Sequence, residues 1–182
     1  MVDVDSVRAE LQRAGRLLLE RDLTWGNAGN LSARTGPETF LITASGSRLG
    51  ELADDDFVEC TIGDGAPLTA GRKPSKEVPM HRAVYAQRAD ASVILHAEPL
   101  HSTLIACTDL DIPNNLFISA MYYLERVERV PYRHPGPALG EARRRQGDGE
   151  KTGCCYSHHG SPGTWSVTAA IWLFSACWSP RR

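Results

Sequence analysis

Between two stretches of helical periodicity the chain is cut into short apolar runs by turns of glycine, asparagine and serine, and few folds accommodate that alternation. Ser6 to Asp22 places Val7, Leu11, Ala14 and Leu18 on one face and Arg8, Glu10, Arg13 and Glu20 elsewhere. This predicts an amphipathic helix capped by Asp5 or Ser6. Thr24-Trp-Gly-Asn-Ala-Gly-Asn30 is a loop that feeds a short strand, Leu31 to Arg34. Phe40 to Thr43 is a second strand, Ala44-Ser-Gly-Ser47 a small-residue turn, and Phe57 to Ile62 a third strand. Lys76 to Arg88 carries Val78, His81, Val84 and Tyr85 at helical spacing. Ser75 is its cap, and Glu77 falls in its first turn, where a carboxylate is favoured. Ser92 to Leu95 is a buried-type strand that delivers His96 at its end. Leu100 to Cys107 is helical, Val127 to Tyr132 is a further strand, and helix resumes from Leu139. Strands dominate the middle and helices flank them, so the class is α/β or α+β with a mostly antiparallel sheet.

The 182 residues suffice for one domain with a proper core and are few for two, so a single domain over 1–182 is expected. A net charge of -2 leaves no basic stripe to neutralise phosphates, which argues against a nucleic-acid partner. The densest basic run, Arg143 to Arg145, is short and is followed by acidic residues. Met1 to Asp5 lacks the basic and apolar regions of a signal peptide. Trp165 to Trp178 is too short and too interrupted by Ser and Thr to span a bilayer. The expected compartment is therefore the cytoplasm, with no membrane partner. Cys60, Cys107, Cys154, Cys155 and Cys177 form no CxxC pair, and free thiols are expected of them.

Four segments carry chemistry. In the loops Gly26 to Asn30 and Ser45 to Ser47, glycines let backbone N–H groups approach an anion while Asn and Ser side chains add donors. Such turns, taken alone, are commonly just turns. Lys73-Pro-Ser-Lys-Glu77, followed by His81, holds a carboxylate near a helix start. That carboxylate is either a surface charge or, beside a metal, a general base. His96-Ala-Glu98 is the sharpest signal. In an extended chain, positions i and i+2 point the same way, so these two side chains can grip one metal, with His101 further on. His158-His159-Gly160 offers a third ligand from a distant segment, leaving coordination positions open for substrate.

In this order the blocks resemble the class II aldolase/adducin family. Gly26-Asn-Ala-Gly-Asn-Leu-Ser32 is similar to its first phosphate loop, and Ile42-Thr-Ala-Ser-Gly46 to its second. Lys73 to Glu77 with His81 resembles the segment of the catalytic acid, His96 to Thr103 the HxH metal stretch, and His158 to Gly160 the last ligand. Ser75 to Glu77, Tyr122 to Arg126, Pro131-Tyr132 and Pro135-Gly136 look most like the branch that decarboxylates 3-oxo-tetronate 4-phosphates. The resemblance implies a three-layer α/β/α fold around a mostly antiparallel central sheet. It implies a metal-dependent carbon–carbon lyase acting on a small phosphorylated sugar acid or ketose, by decarboxylation or retro-aldol cleavage through an enediolate. Asn27, Gly29, Asn30, Ser45, Gly46 and Ser75 would bind phosphate. Lys76 would hold the departing carboxylate or the phosphate, unless it is simply solvated. Glu77 would be the acid/base, and His96, Glu98 and His159 would hold a divalent ion, zinc ahead of manganese or magnesium. A homo-oligomer, a tetramer by family habit, is the implied assembly.

The chain departs from the family in three places. Glu98 replaces the second histidine of HxH, with His101 as the other claimant to that role. Phe117 stands where aldolases of the family carry a tyrosine proton donor, with Tyr122 and Tyr123 as substitutes. The likeness fades at about residue 160. Ser161 to Arg182 lacks the expected amphipathic helix, and Arg143 to Tyr156 lacks the apolar strand expected before His158. Back-translation with GC-rich codons restores family-like segments in shifted frames, which suggests two reading-frame slips. Two rival expectations follow from these departures: a non-catalytic, adducin-like binding module, or an inactive frame-shifted product.

Overall fold

The computed structural model describes residues 3–106, single positions between 108 and 118, and strands at 126–131, 152–157 and 172–174. The predicted helix from Leu139, together with Phe117, Tyr122, Tyr123, His158 and His159, lies outside the described residues.

The first helix, α1 (Val4–Glu20), starts earlier than the sequence pattern suggests. Asp3 is its cap, its carboxylate accepting the Asp5 N–H at 3.2 Å, so neither Asp5 nor Ser6 plays that part. Leu11, Gly15 and Leu18 are buried. At Gly15 a Cβ would lie 2.0 Å from the Leu49 carbonyl oxygen, so the helix lies backbone to backbone on the 3-10 turn Leu49–Glu51.

Three strands then form a meander: β1 (Asn30–Arg34), β2 (Thr39–Thr43) and β3 (Phe57–Thr61). The second helix, α2 (Val78–Gln87), precedes β4 (Val93–Ala97) and α3 (Leu100–Ala106). Strands β5 (Arg126–Pro131) and β6 (Thr152–Ser157) pair as an antiparallel ribbon. The last strand, β7 (Trp172–Phe174), joins the main sheet beside β4. That sheet runs β3-β2-β1-β4-β7, antiparallel at every pairing. Strands β6 and β7 were not expected from the sequence; a ladder is held by backbone groups that any residue other than proline supplies.

Alternation along the strands sorts side chains onto two covered faces. Leu31, Ala33, Leu41, Phe57 and Ala97 pack with Leu11, Leu18, Leu49 and Leu52 on the α1 side. Phe40, Ile42, Val58, Cys60 and Ile94 pack with Val78 and Tyr85 on the α2 side. This is the expected three-layer α/β/α arrangement, and covering both faces explains why the strands read as nearly unbroken apolar runs. The Cys60 thiol is buried among apolar groups and free, its pKa pushed up to about 11 by burial and by Glu59. Among the described residues no helix is long and apolar enough to cross a membrane.

One strand face breaks the apolar rule. On β1 the residues facing α2 are Asn30, Ser32 and Arg34, and each is bonded to that helix. His81 meets Asn30 and Ser32, Tyr85 meets Ser32, and Arg34 Nη2 donates to the Tyr85 carbonyl at 2.8 Å. The Arg34 guanidinium also lies 4.9 Å from the Tyr85 ring centroid. The seam satisfies its polar groups mutually, which is the condition for burying them.

Candidate active site

Loops from four segments converge at one end of the sheet. Asn30 opens β1 and is the register partner of His96 on β4. Leu31 N–H donates to Thr43 Oγ1 at 3.1 Å, which holds the end of β2 against the start of β1. Beyond Thr43, Ala44 bridges to Pro74, Ser45 N–H donates to the Lys73 carbonyl at 2.8 Å, and Ser75 N–H donates to the Thr43 carbonyl at 3.1 Å. The two small-residue loops and the Ser75–Glu77 turn are therefore held side by side through main-chain bonds.

The helix start differs from the sequence expectation. Helix α2 begins at Val78, so Glu77 is the N-cap itself rather than a first-turn residue, and it makes no side-chain cap bond. Ser75 caps the turn before it, its Oγ accepting the Glu77 N–H at 3.2 Å. Glu77 is half-buried, and its pKa is raised, first by burial and then by the nearby charge of Glu98. Burial likewise raises Glu98, which the Gly29 amide partly offsets. Instead of a carboxylate favoured by a helix dipole, Glu77 is one whose charge is disfavoured by burial and by Glu98.

His96 is 2% exposed, and neither ring nitrogen has a hydrogen-bond partner. Burial depresses its pKa to about 4, so the ring is neutral with its lone pair available. A buried imidazole with unpaired nitrogens costs stability unless something occupies it. The chemistry of that nitrogen and of Glu98, two residues on along the same strand direction, suits a divalent ion, which would relieve the cost of both buried groups. Among the described residues no three His, Cys, Asp or Glu side chains are gathered as a metal-binding group. A third ligand would come from His159, outside them. His101, the other claimant, is exposed on α3.

Asn27, Ser45, Gly46 and Lys76 are exposed around this end, while Asn30 is buried beneath them. The second loop is braced from below. Ser47 Oγ donates to Asp56 at 2.6 Å, Asp56 accepts the Ala53 N–H at 2.9 Å, and Arg72 bonds both Asp56 and the Ser45 carbonyl. Sequence reasoning missed Ser32, Asp56, Arg72 and Tyr85 as supports and saw His81 only as part of a motif. The readable signal was the run of alternate polar residues Asn30, Ser32 and Arg34 in a strand otherwise apolar.

The fold and the site together define a three-layer α/β/α domain whose sheet end holds a histidine, two carboxylates and two glycine turns. The chain belongs to the class II aldolase and adducin N-terminal domain family, whose model matches residues 9–170. The match runs past residue 160, where the motif likeness ends.

Curated relatives include the 3-oxo-tetronate 4-phosphate decarboxylase of Haemophilus influenzae, 35% identical over 143 residues, covering 75% of this chain and 67% of that protein. The methylthioribulose-1-phosphate dehydratase of Leptospira biflexa is 39% identical over 108 residues, covering 57% of this chain and 52% of that protein. This chain thus spans between about half and two thirds of the length of these relatives. Among solved structures, the L-fuculose-1-phosphate aldolase of Thermus thermophilus is 30% identical with a TM-score of 0.54, covering 65% of this chain and 57% of that one.

Proposed function

We propose that the chain is a metal-dependent carbon–carbon lyase that decarboxylates a 3-oxo-tetronate 4-phosphate. The observation that carries this reading is the unpartnered imidazole of His96, two residues from Glu98, whose nearby charge helps to raise the Glu77 pKa. His96, Glu98 and His159 would hold the ion, with zinc favoured by the nitrogen ligands and manganese or magnesium tolerated by the carboxylate. When bound, the ion supplies Lewis acidity at the substrate oxygens next to the scissile bond.

The chain's own groups do the rest. Asn27, Asn30, Ser45, Gly46 and Ser75 bind the phosphate through turn N–H groups, side-chain amides and hydroxyls, Gly29, whose N–H serves Glu98, lets the loop approach it closely, and exposed Lys76 meets phosphate or carboxylate. As carbon dioxide leaves, its bonding electron pair stays on the sugar carbon. Glu77, its pKa raised by burial and by Glu98, gives that carbon a proton and regains one from water.

Glu77→Gln tests this on the zinc-loaded chain, with carbon dioxide release as the readout. Turnover should fall by about 10²–10⁴-fold with zinc content and melting temperature unchanged. Full activity in that variant would remove Glu77 from the role, and a wild-type chain that holds no tightly bound divalent metal would remove the enzyme reading altogether.

The Leptospira biflexa relative supports a second reaction at the same site, dehydration of methylthioribulose 1-phosphate. Decarboxylation is preferred because the likeness to the Haemophilus influenzae decarboxylase spans 75% of this chain against 57%. Running both substrates side by side decides between them.

A further inference from the structure

His81 is fully buried, at the centre of the polar seam between α2 and β1, and the reaction assigned above does not use it. Its two nitrogens are both engaged. Nε2 faces Asn30 Oδ1 at 2.5 Å, and Nδ1 faces Ser32 Oγ at 2.6 Å. An amide oxygen can only accept, so Nε2 carries the ring proton. Burial keeps the ring uncharged, which leaves Nδ1 as an acceptor, so Ser32 donates to it. The Ser32 oxygen is then free to accept from Tyr85 O–H at 2.8 Å, and the Tyr85 oxygen takes the Ile94 backbone N–H. Every hydrogen along Tyr85–Ser32–His81–Asn30 has one direction.

The geometry points to His81 as a positioning residue that fixes which way the Asn30 amide faces, and so presents the amide NH2 to the substrate phosphate. A flipped amide would set its own N–H against the ring N–H, so the flip is blocked. The amide NH2 group has no hydrogen-bond partner among the described residues, and Asn30 directly follows Gly29 in the first small-residue loop. Without the ring N–H nothing in the seam holds the amide oxygen inward, so the amide can flip and set its oxygen against the phosphate, repelling it. This inference rests on the phosphate role given to Asn30 above.

The probe is inorganic phosphate, titrated into the zinc-loaded full chain. His81→Phe keeps the volume and removes the donor, whereas His81→Gln restores an N–H that reaches the Asn30 oxygen. His81→Phe should weaken phosphate binding about tenfold, and His81→Gln should stay within about threefold of wild type, as expected for one hydrogen bond serving a charged ligand. In an Asn30→Ala background, His81→Phe should cost nothing more, because its effect runs through that amide. Imidazole ¹⁵N spectra of the wild-type chain, which need no variant to fold, should show the Nε2–H tautomer at His81.

An Nδ1–H tautomer, or an equal loss with and without Asn30, would overturn the positioning role. Phosphate binding in wild type that ignores His81→Phe would sink this inference alone. Absence of phosphate binding in wild type would sink the phosphate reading and this inference with it.

Discussion

Asn30 and His96 are direct partners across β1 and β4, so the first small-residue loop and the orphaned histidine share one register. Slipping that pairing by one residue would turn His96 toward α1 and break the convergence, since alternate strand residues face opposite ways. What holds the register is apolar: Leu31 and Leu95 on one face and Ile94 on the other.

Gly29 is where the loop comes closest to the histidine strand. Its φ is +81°, and a Cβ there would lie 2.4 Å from the His96 carbonyl oxygen. Gly46 has the same φ with nothing within 4 Å. Gly46→Ala should therefore cost only the backbone strain, about 1–2 kcal/mol. Gly29→Ala should cost about 1–3 kcal/mol beyond that, because backbone must shift. Urea unfolding of both variants measures the gap, and equal losses would show that the close approach relaxes without penalty.

His96 should make the metal-free protein less stable than it could be. His96→Leu removes two unpaired buried nitrogens and keeps an apolar side chain, so without metal it should be neutral or stabilising by about 1 kcal/mol. Zinc at about 100 times its dissociation constant should add about 2.7 kcal/mol to wild type and nothing to the variant. Thermal melts with and without zinc check both halves, and a zinc response surviving in His96→Leu would dissociate His96 from the ion.

Asp56 should make the second loop sensitive to acid. Burial pushes its carboxyl upward, but bonds from the Ala53 N–H, the Ser47 hydroxyl and Arg72 outweigh this and leave the pKa below 3.8. A depressed folded-state pKa means the stabilisation is complete above the unfolded value of about 3.8 and disappears as pH falls through the folded one. Asp56→Asn should lose about 1–3 kcal/mol at neutral pH and show a flatter decline at acid pH than wild type. Matched urea midpoints at pH 7 and pH 3 provide the measurement.

Much of the scaffold was legible in the chain. The apolar periodicity of Val7, Leu11, Ala14 and Leu18 located α1, and the runs around Leu31, Phe40, Phe57 and Ile94 located the sheet strands, each within a few residues. Boundaries moved where a local turn outranked the helical period. Helix α2 starts after Glu77 because Ser75 first closes a turn there, its carbonyl accepting the Val78 N–H. The strands at Thr152–Ser157 and Trp172–Phe174 were not legible, since the first carries no apolar run and the second lies in an apolar stretch without a regular period.

By itself the sequence determined which residue types were available: a histidine at a strand end, carboxylates at 77 and 98, and turns able to bare their amides. It did so because hydrophobic periodicity and turn chemistry act over a few residues. Tertiary structure alone decided that His81 would be a fully bonded hub while His96 was left unpaired. Whether a buried imidazole finds partners depends on which strand faces which helix, and that is set by packing between segments fifty residues apart.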